Sequence, residues 1–316
     1  APERFKITPA QESLQESTSK KKCVSKMDLA PFDIDTSPPS PELLEFSRKD
    51  LRETPQVREA AILELRKLLH NATDLHYRDD DDFLMIFLRP CHFYAESALK
   101  MMRRIAEFKK NNYPLMHNLS PEDEKISFID HGIVNVLTNK DHKGRRVLLI
   151  NCGKAWDPKA VSPEKMFRMF FLVHLVAQME QSTQINGVVI IMDFDGLSLK
   201  QVKALSPSFS KLLLTFIQEA VPLRMKEVHI IKQPFVFNMV WQLFKPFIGE
   251  KLKTRLEFHG QDMKKLHKYL DPNFLPKNFG GNLPMLNYGS RDWYPCIEKY
   301  TDHISKWNTY GFASGP

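Results

Sequence analysis

The spacing of apolar and polar positions divides the chain into distinct textures. From residue 41 to 114, apolar residues recur at helical intervals. Ser40 can cap a helix running to about residue 54, with Leu44 and Leu51 on one face. Ile62, Leu65 and Leu69 mark a second helix over 57–70, and 94–112 is another amphipathic segment. Asp79–Asp82 precede the apolar run 83–88, where four acids complement the macrodipole of a helix start. A calcium loop would need the EF-hand spacing and its glycine, and both are missing.

From Leu115 the period changes. Runs 134–137 and 147–151 read as strands around a turn at 141–144. Run 187–194 is continuously apolar and bounded by glycine, so it reads as a strand buried on both faces; 228–231 is a second such strand and 256–259 a short one. Segments 167–179 and 210–220 read as helices. Helix–strand alternation with two-faced strands predicts an α/β domain with a mainly parallel sheet. Trp293, Ile297, Tyr300, Ile304 and Trp307 keep helical spacing and predict a C-terminal helix packed back on the body. Residues 1–40, rich in Ser, Lys, Gln and Pro, read as a disordered tail. The predicted organisation is a tail (1–40), a helical module (41–114), an α/β domain (115–286), and a C-terminal helix and tail (287–316).

One segment departs from amphipathic patterning. Residues 235–248 are apolar almost all the way round a helix, with Asn238, Gln242 and Lys245 forming one narrow polar stripe. Each large side chain left in water forgoes roughly 1.5–3 kcal/mol of burial. Such a helix covers an apolar surface, inserts into one, or alternates between the two. The chain carries a formal charge of +7, and residues 221–268 hold ten Lys or Arg against four acidic residues. Nearly the whole excess is therefore a patch beside apolar side chains, which fits an anionic membrane surface. Nucleic acid is disfavoured, because no recognition motif and no interleaving of cations with stacking aromatics is present.

The four cysteines are far apart, with no C-x-x-C and no Cys/His spacing of a zinc site, so reduced thiols, a cytosolic setting and no bound metal are expected. No signal peptide is visible, and no apolar run reaches the ~18 residues needed to span a bilayer. The chain has no G-x-S-x-G elbow, P-loop or G-x-G-x-x-G motif. Asp193 and Asp195 share a strand face and could form an acid/base pair, but capping of the following loop is the preferred reading. Cys152 reads as a structural thiol. These absences favour a binding protein over an enzyme.

Several motifs in order carry a resemblance: 183–194 (TQINGVVIIMDF), 221–226 (VPLRMK) leading into 228–234 (VHIIKQP), Lys245-Pro246-Phe247, the run 250–260, and 275–281 (LPKNFGG). Together with 83–93 they resemble the CRAL-TRIO lipid-binding family over about 41–286, most similarly the group of the α-tocopherol transfer protein and cellular retinaldehyde-binding protein. The resemblance implies a helical N-terminal module, an α/β/α domain with a deep apolar cavity, and a helical lid. It places Phe237, Val240, Leu243, Phe244 and Ile248 on the lid. It assigns a phosphoinositide headgroup to Arg224, Lys226, Lys251 and Arg255, the last two at i, i+4. It places Phe167, Phe170, His174, Val188, Met192, Leu197, Leu199, Leu205, Leu213, Phe216, Ile217, Val221 and Leu223 on the cavity wall. Phe170 and His174 stand where the tocopherol-binding relative has small hydroxyl side chains; His174 could hydrogen-bond a ligand hydroxyl or carbonyl, or sit as a satisfied core histidine. The family's Arg-Ala-Arg-Lys-Phe is replaced by Arg89-Pro90-Cys91-His92-Phe93.

The expected protein is a monomeric cytosolic carrier of one small apolar lipid, such as a tocopherol, retinoid or carotenoid, with no cofactor beyond that ligand and reversible docking on phosphoinositide membranes. Rival readings are a phospholipid transfer protein, a signalling adaptor and an enzyme.

Overall fold

The computed structural model describes residues 32–286 and 291–313. The first helices begin at side-chain caps. Ser40 accepts from the Leu43 amide at the start of α1 (Pro41–Leu51), and Thr54 from Val57 at the start of α2 (Pro55–Asn71). Asp80 accepts from Phe83 at the start of α3 (Asp81–Leu88), so the acidic run is used for capping. α1 stops short of residue 54 because Arg52 turns left-handed at φ 67. The amphipathic segment forms α4 (Ala95–Asn111). Trp307 and Tyr310, from the far end of the chain, pack against Phe83. A short antiparallel ribbon pairs Leu75 with Phe312 and His76 with Gly311, two residues a side and too short to leave a pattern in sequence.

The central sheet has five strands in consecutive order: β1 (Val134–Val136), β2 (Arg146–Asn151), β3 (Val188–Asp193), β4 (Met225–Ile231) and β5 (Leu256–Gly260). β1 and β2 are the antiparallel hairpin read from the sequence, and the remaining pairs are parallel. Alternate residues point to opposite faces. Val147, Leu149, Val189, Ile191 and Ile231 pack solidly on Leu266, Leu270, Leu275 and Phe279. Leu148, Ile150, Ile190, Met192, Val228 and Ile230 face the other way, toward α5 (Pro163–Ala177), α6 (Pro207–Thr215) and α7 (Phe237–Phe244). α6 does not continue regularly to residue 220 but loosens into a π-turn over Phe216–Ala220.

The C-terminal segment is two helices, α8 (Tyr294–Lys299) and α9 (Thr301–Thr309), meeting at Tyr300. The helical module has no separate core: Leu65, Phe87 and Met102 belong to the same buried cluster as Phe167 and Ile190. Arg89 joins the two parts. It is buried and donates to Glu53 at 2.8 and 3.1 Å and to Gln184 at 2.6 Å. This gives the replaced motif a physical content: its first arginine is a fully paired internal cation, and the following His92 and Phe93 turn left-handed at φ 51 and 60. Residues 32–35, read as part of the tail, instead pack on the body through Phe32 and Ile34; residues 1–31 lie outside those described.

Candidate lipid-binding site

The cavity-facing side of the sheet does not meet solid packing. It opens into two apolar chambers. The larger, with an open volume of ≈ 1120 Å³, lies under α7. Phe167, Met192, Leu197, Leu205, Leu213 and Ile217 line it, with Ile150, Val228 and Ile230 from the sheet floor. The inner chamber, ≈ 790 Å³, is lined by His174, Val188, Val221 and Leu223, by Trp293, Cys296 and Ile297 at α8, and by Phe32 and Ile34. Phe170, Ile190 and Met225 belong to both walls and form a waist between them.

Eleven of the thirteen predicted wall residues are thereby placed on one chamber or both. Phe216 lies one layer behind the wall, with its ring against Phe108, Phe167, Phe170, Phe171 and His174. Leu199 is a correction: it is 50% exposed at the start of a short helix and lines neither chamber. Phe32 and Ile34, Trp293 and Cys296 escaped the sequence reading because they reach the chamber from the two ends of the chain.

The lid helix is shorter than 235–248. It ends at Phe244 and passes into a 3₁₀ turn over Lys245–Phe247, where Pro246 forbids a regular continuation. Phe237, Val240, Phe244 and Ile248 face the outer chamber, as does Trp241. Leu243 is a second correction, since it lies off the cavity wall. The polar stripe Asn238, Gln242 and Lys245 is exposed, as are Met239 and Phe235, the latter at 90%. The inner apolar stripe thus covers the cavity, while Phe235 and Met239 face water beside the polar stripe. Phe237 packs its ring on Phe194 at 4.7 Å and Trp241 on Phe258 at 5.1 Å. Gln218, in the π-turn, latches the far end: it donates to the Phe247 carbonyl at 3.0 Å and accepts from the Gly249 amide at 2.7 Å. Its polarity in an apolar helix was the only sequence signal.

The four predicted cations converge beyond the end of the lid. Arg224 and Lys226 stand at the entry to β4, Lys251 in the helical turn Glu250–Lys253, and Arg255 before β5. That turn ends before Arg255, so Lys251 and Arg255 do not share the face of one regular helix. Asp50 of α1 reaches into the group, 2.7 Å from Arg224 and 3.5 Å from Lys226. The contact to Arg224 is a close ion pair that lacks hydrogen-bond geometry. Arg224 also donates to the Ile185 carbonyl at 2.7 Å. Lys251 and Arg255 have no acidic partner among the described residues. Mutual repulsion is visible: burial and then Arg224 push Arg255 below its usual range, and burial, then Arg224 and Arg255 do the same to Lys226. His92 is lowered by burial and by Arg224, Lys251 and Lys226. A cluster of like charges held this way favours a polyanion.

The side chains considered for catalysis are otherwise engaged. Asp193 accepts from the Asp195 amide at 2.9 Å and pairs with Lys232 at 2.8 Å, while Asp195 pairs with Lys154 at 2.7 Å. Burial, with Asp193 beside it, raises the Cys152 thiol, leaving it inert. Among the described residues Cys91, Cys152 and Cys296 are free thiols, no acidic or His/Cys cluster could hold a metal, and no helix is long and apolar enough to cross a membrane.

Residues 130–281 match the CRAL/TRIO domain. The chain is 33% identical to clavesin-1 of Pongo abelii over 254 residues, covering 79% of this chain and 71% of that one. It is 30% identical to clavesin-2 of Homo sapiens, with 79% and 77% covered. The crystal structure of Sfh5 aligns with a TM-score of 0.48 at 16% identity, over 78% of this chain and 91% of that chain. With a relative above 30% identity over most of both chains, and an apolar cavity between sheet and helices, this chain belongs to the CRAL-TRIO family of lipid-binding and lipid-transfer proteins.

Proposed function

We propose that this chain binds one small hydrophobic lipid in the paired chambers and exchanges it at phosphoinositide-bearing membranes, as a peripheral, reversible visitor from the cytoplasm. The observation that carries the reading is a cavity walled by apolar side chains and covered by a helix at whose start Phe235 and Met239 stand exposed beside the polar stripe. Docked on a bilayer, the exposed Phe235 and Met239 gain the burial that water denies them. Lys251 and Arg255, without acidic partners among the described residues, meet the anionic headgroups, and Arg224 and Lys226 add to them as the headgroup displaces Asp50. A tocopherol-, retinoid- or carotenoid-like cargo fits the wall better than a phospholipid. A phosphate inside would need an unpaired cation, and Arg146, the cation on the inner wall, is held bidentately by Glu180 at 2.8 Å.

Native mass spectrometry after incubation with a mixed lipid extract tests the cargo: one stoichiometric isoprenoid is expected, and an enriched phospholipid would overturn the choice. For docking, each surface cation contributes about 1 kcal/mol at an anionic leaflet. Lys251→Ala with Arg255→Ala is therefore expected to weaken binding to phosphoinositide vesicles about 30-fold, and wild-type binding to fall as salt rises. Unchanged vesicle binding of that double variant would remove the docking half of the proposal.

A further inference from the structure

The inner chamber holds few polar groups, and all but one are engaged. Arg146 and Glu180 satisfy one another, with Arg146 also donating to the Thr138 carbonyl at 3.0 Å and Lys140 lying 3.1 Å from Glu180. Trp293 donates its indole N–H to Asn135 at 3.4 Å, and the Cys296 thiol donates to Asp33 at 3.4 Å. The remaining group is His174, buried on α5 in the chamber wall. Its Nδ1 rests on the carbonyl of Phe171, three residues earlier in the same helix. A carbonyl oxygen only accepts, so Nδ1 carries the proton. Burial holds the imidazole down to about 3, keeping it neutral near pH 7. Nε2 is therefore a bare lone pair, and no donor among the described residues is hydrogen-bonded to it.

We propose that Nε2 of His174 accepts a hydrogen bond from a hydroxyl at the head of the cargo, so that the inner chamber selects lipid alcohols over the matching aldehydes and esters. The proposal rests on reading the cavity as a lipid site and deepens it. A hydroxyl pairs with Nε2. An aldehyde or ester oxygen in the same place sets lone pair against lone pair and leaves two buried acceptors unpaired. Sites that hydrogen-bond a substrate hydroxyl discriminate strongly against analogues that lack it. The apolar chain of such an alcohol passes the Phe170 waist into the chamber under the lid, where the wall asks only for apolar contact. The free acceptor thus narrows the ligand from any small apolar lipid to one with a hydrogen-bond donor at one end.

Three probes with one hydrocarbon chain test this: geranylgeraniol, its aldehyde and its acetate, titrated against the full chain by quenching of tryptophan fluorescence. Trp293 and Trp241 line the two chambers and report on both. The wild type is expected to bind the alcohol ~10- to 100-fold tighter than the aldehyde or acetate. His174→Leu is expected to lose that preference while still binding the aldehyde, and His174→Gln, which can also donate, to regain aldehyde affinity. Equal wild-type affinity for the three probes, or an undiminished preference in His174→Leu, would overturn the alcohol assignment and leave the cavity reading standing. Failure of the wild type to bind any of the three would overturn both. Should the variants not fold, ¹⁵N-histidine spectra of the wild type decide: Nε2 is expected to shift with the alcohol and stay in place with the aldehyde, and identical spectra with both probes would refute the assignment.

Discussion

The two faces of the central sheet are made of the same kinds of residue and end in opposite kinds of packing. On one face Val189, Ile191 and Ile231 form one buried cluster with Leu266, Leu270, Leu275 and Phe279. On the other, Ile190, Met192 and Ile230 floor two open chambers. Adjacent residues of β3 therefore do different work: Ile191 contributes to stability and Met192 to capacity. An apolar side chain is insurance against water on either face, but only close neighbours turn it into cohesion.

Substitutions on neighbouring positions sharpen that contrast. Ile191→Ala removes a fully buried side chain from dense packing and is expected to cost about 2–5 kcal/mol in denaturant unfolding. Met192→Ala, one residue on, borders open space and is expected to cost under ~1 kcal/mol of the lipid-free protein's stability while weakening cargo binding. Equal destabilisation by the two would mean that the cavity face is packed as densely as its opposite.

Acid should reveal the polar side of the packed face. His259 hydrogen-bonds His229 at 2.9 Å there and is lowered to about 4, chiefly by burial; His303, beneath α5, is lowered to about 4 as well. Unfolded histidines titrate near 6.5. Below that pH the unfolded chain takes up protons that the native state refuses, so stability is complete above about 6.5 and falls as pH drops toward 4. Glu180 and Glu227, lowered to about 2, add a loss that begins only below their unfolded range near 4.5. Urea midpoints are expected to be level from pH 8 to 7 and to decline from 6.5 downward. A flat profile to pH 4.5 would contradict the burial of these rings.

The smallest effect belongs to the latch. Gln218→Ala removes two hydrogen bonds at the lid's C-terminal end, each worth about 1 kcal/mol. Lipid transfer between vesicles is expected to quicken by roughly 5- to 30-fold with little change in global stability. An unaltered transfer rate would show that the lid opens from its other end.

Much of the architecture was legible. Alternation and continuous apolar runs located every strand of the central sheet, because the 2-residue period of a strand and the two-sided burial of a parallel sheet leave direct marks. Caps located α1 and α3, and apolar periodicity located α2, for the same local reason. The sequence-anomalous lid segment is the element over the cavity, and Arg224, Lys226 and Arg255 of the basic patch come within electrostatic reach of one another. Errors came where neighbours in space decided the outcome. Leu199 and Leu243 have the composition of wall residues and the wrong direction. Lys251 and Arg255 do not share a helix face, and Arg224 and Lys226 meet Asp50, supplied by a distant helix. Phe32, Trp293 and Gln218 act only once the chain ends and the π-turn meet the domain.

By itself, then, the sequence determined the elements, the α/β class, the apolar lid and the concentration of positive charge, since each depends on period, cap or composition within a short stretch. Tertiary structure alone decided which face of the sheet is hollow, where Phe170 divides the hollow, and which nitrogen of His174 is left bare. Those outcomes depend on the absence or presence of atoms across a gap, and no local pattern records what stands on the other side.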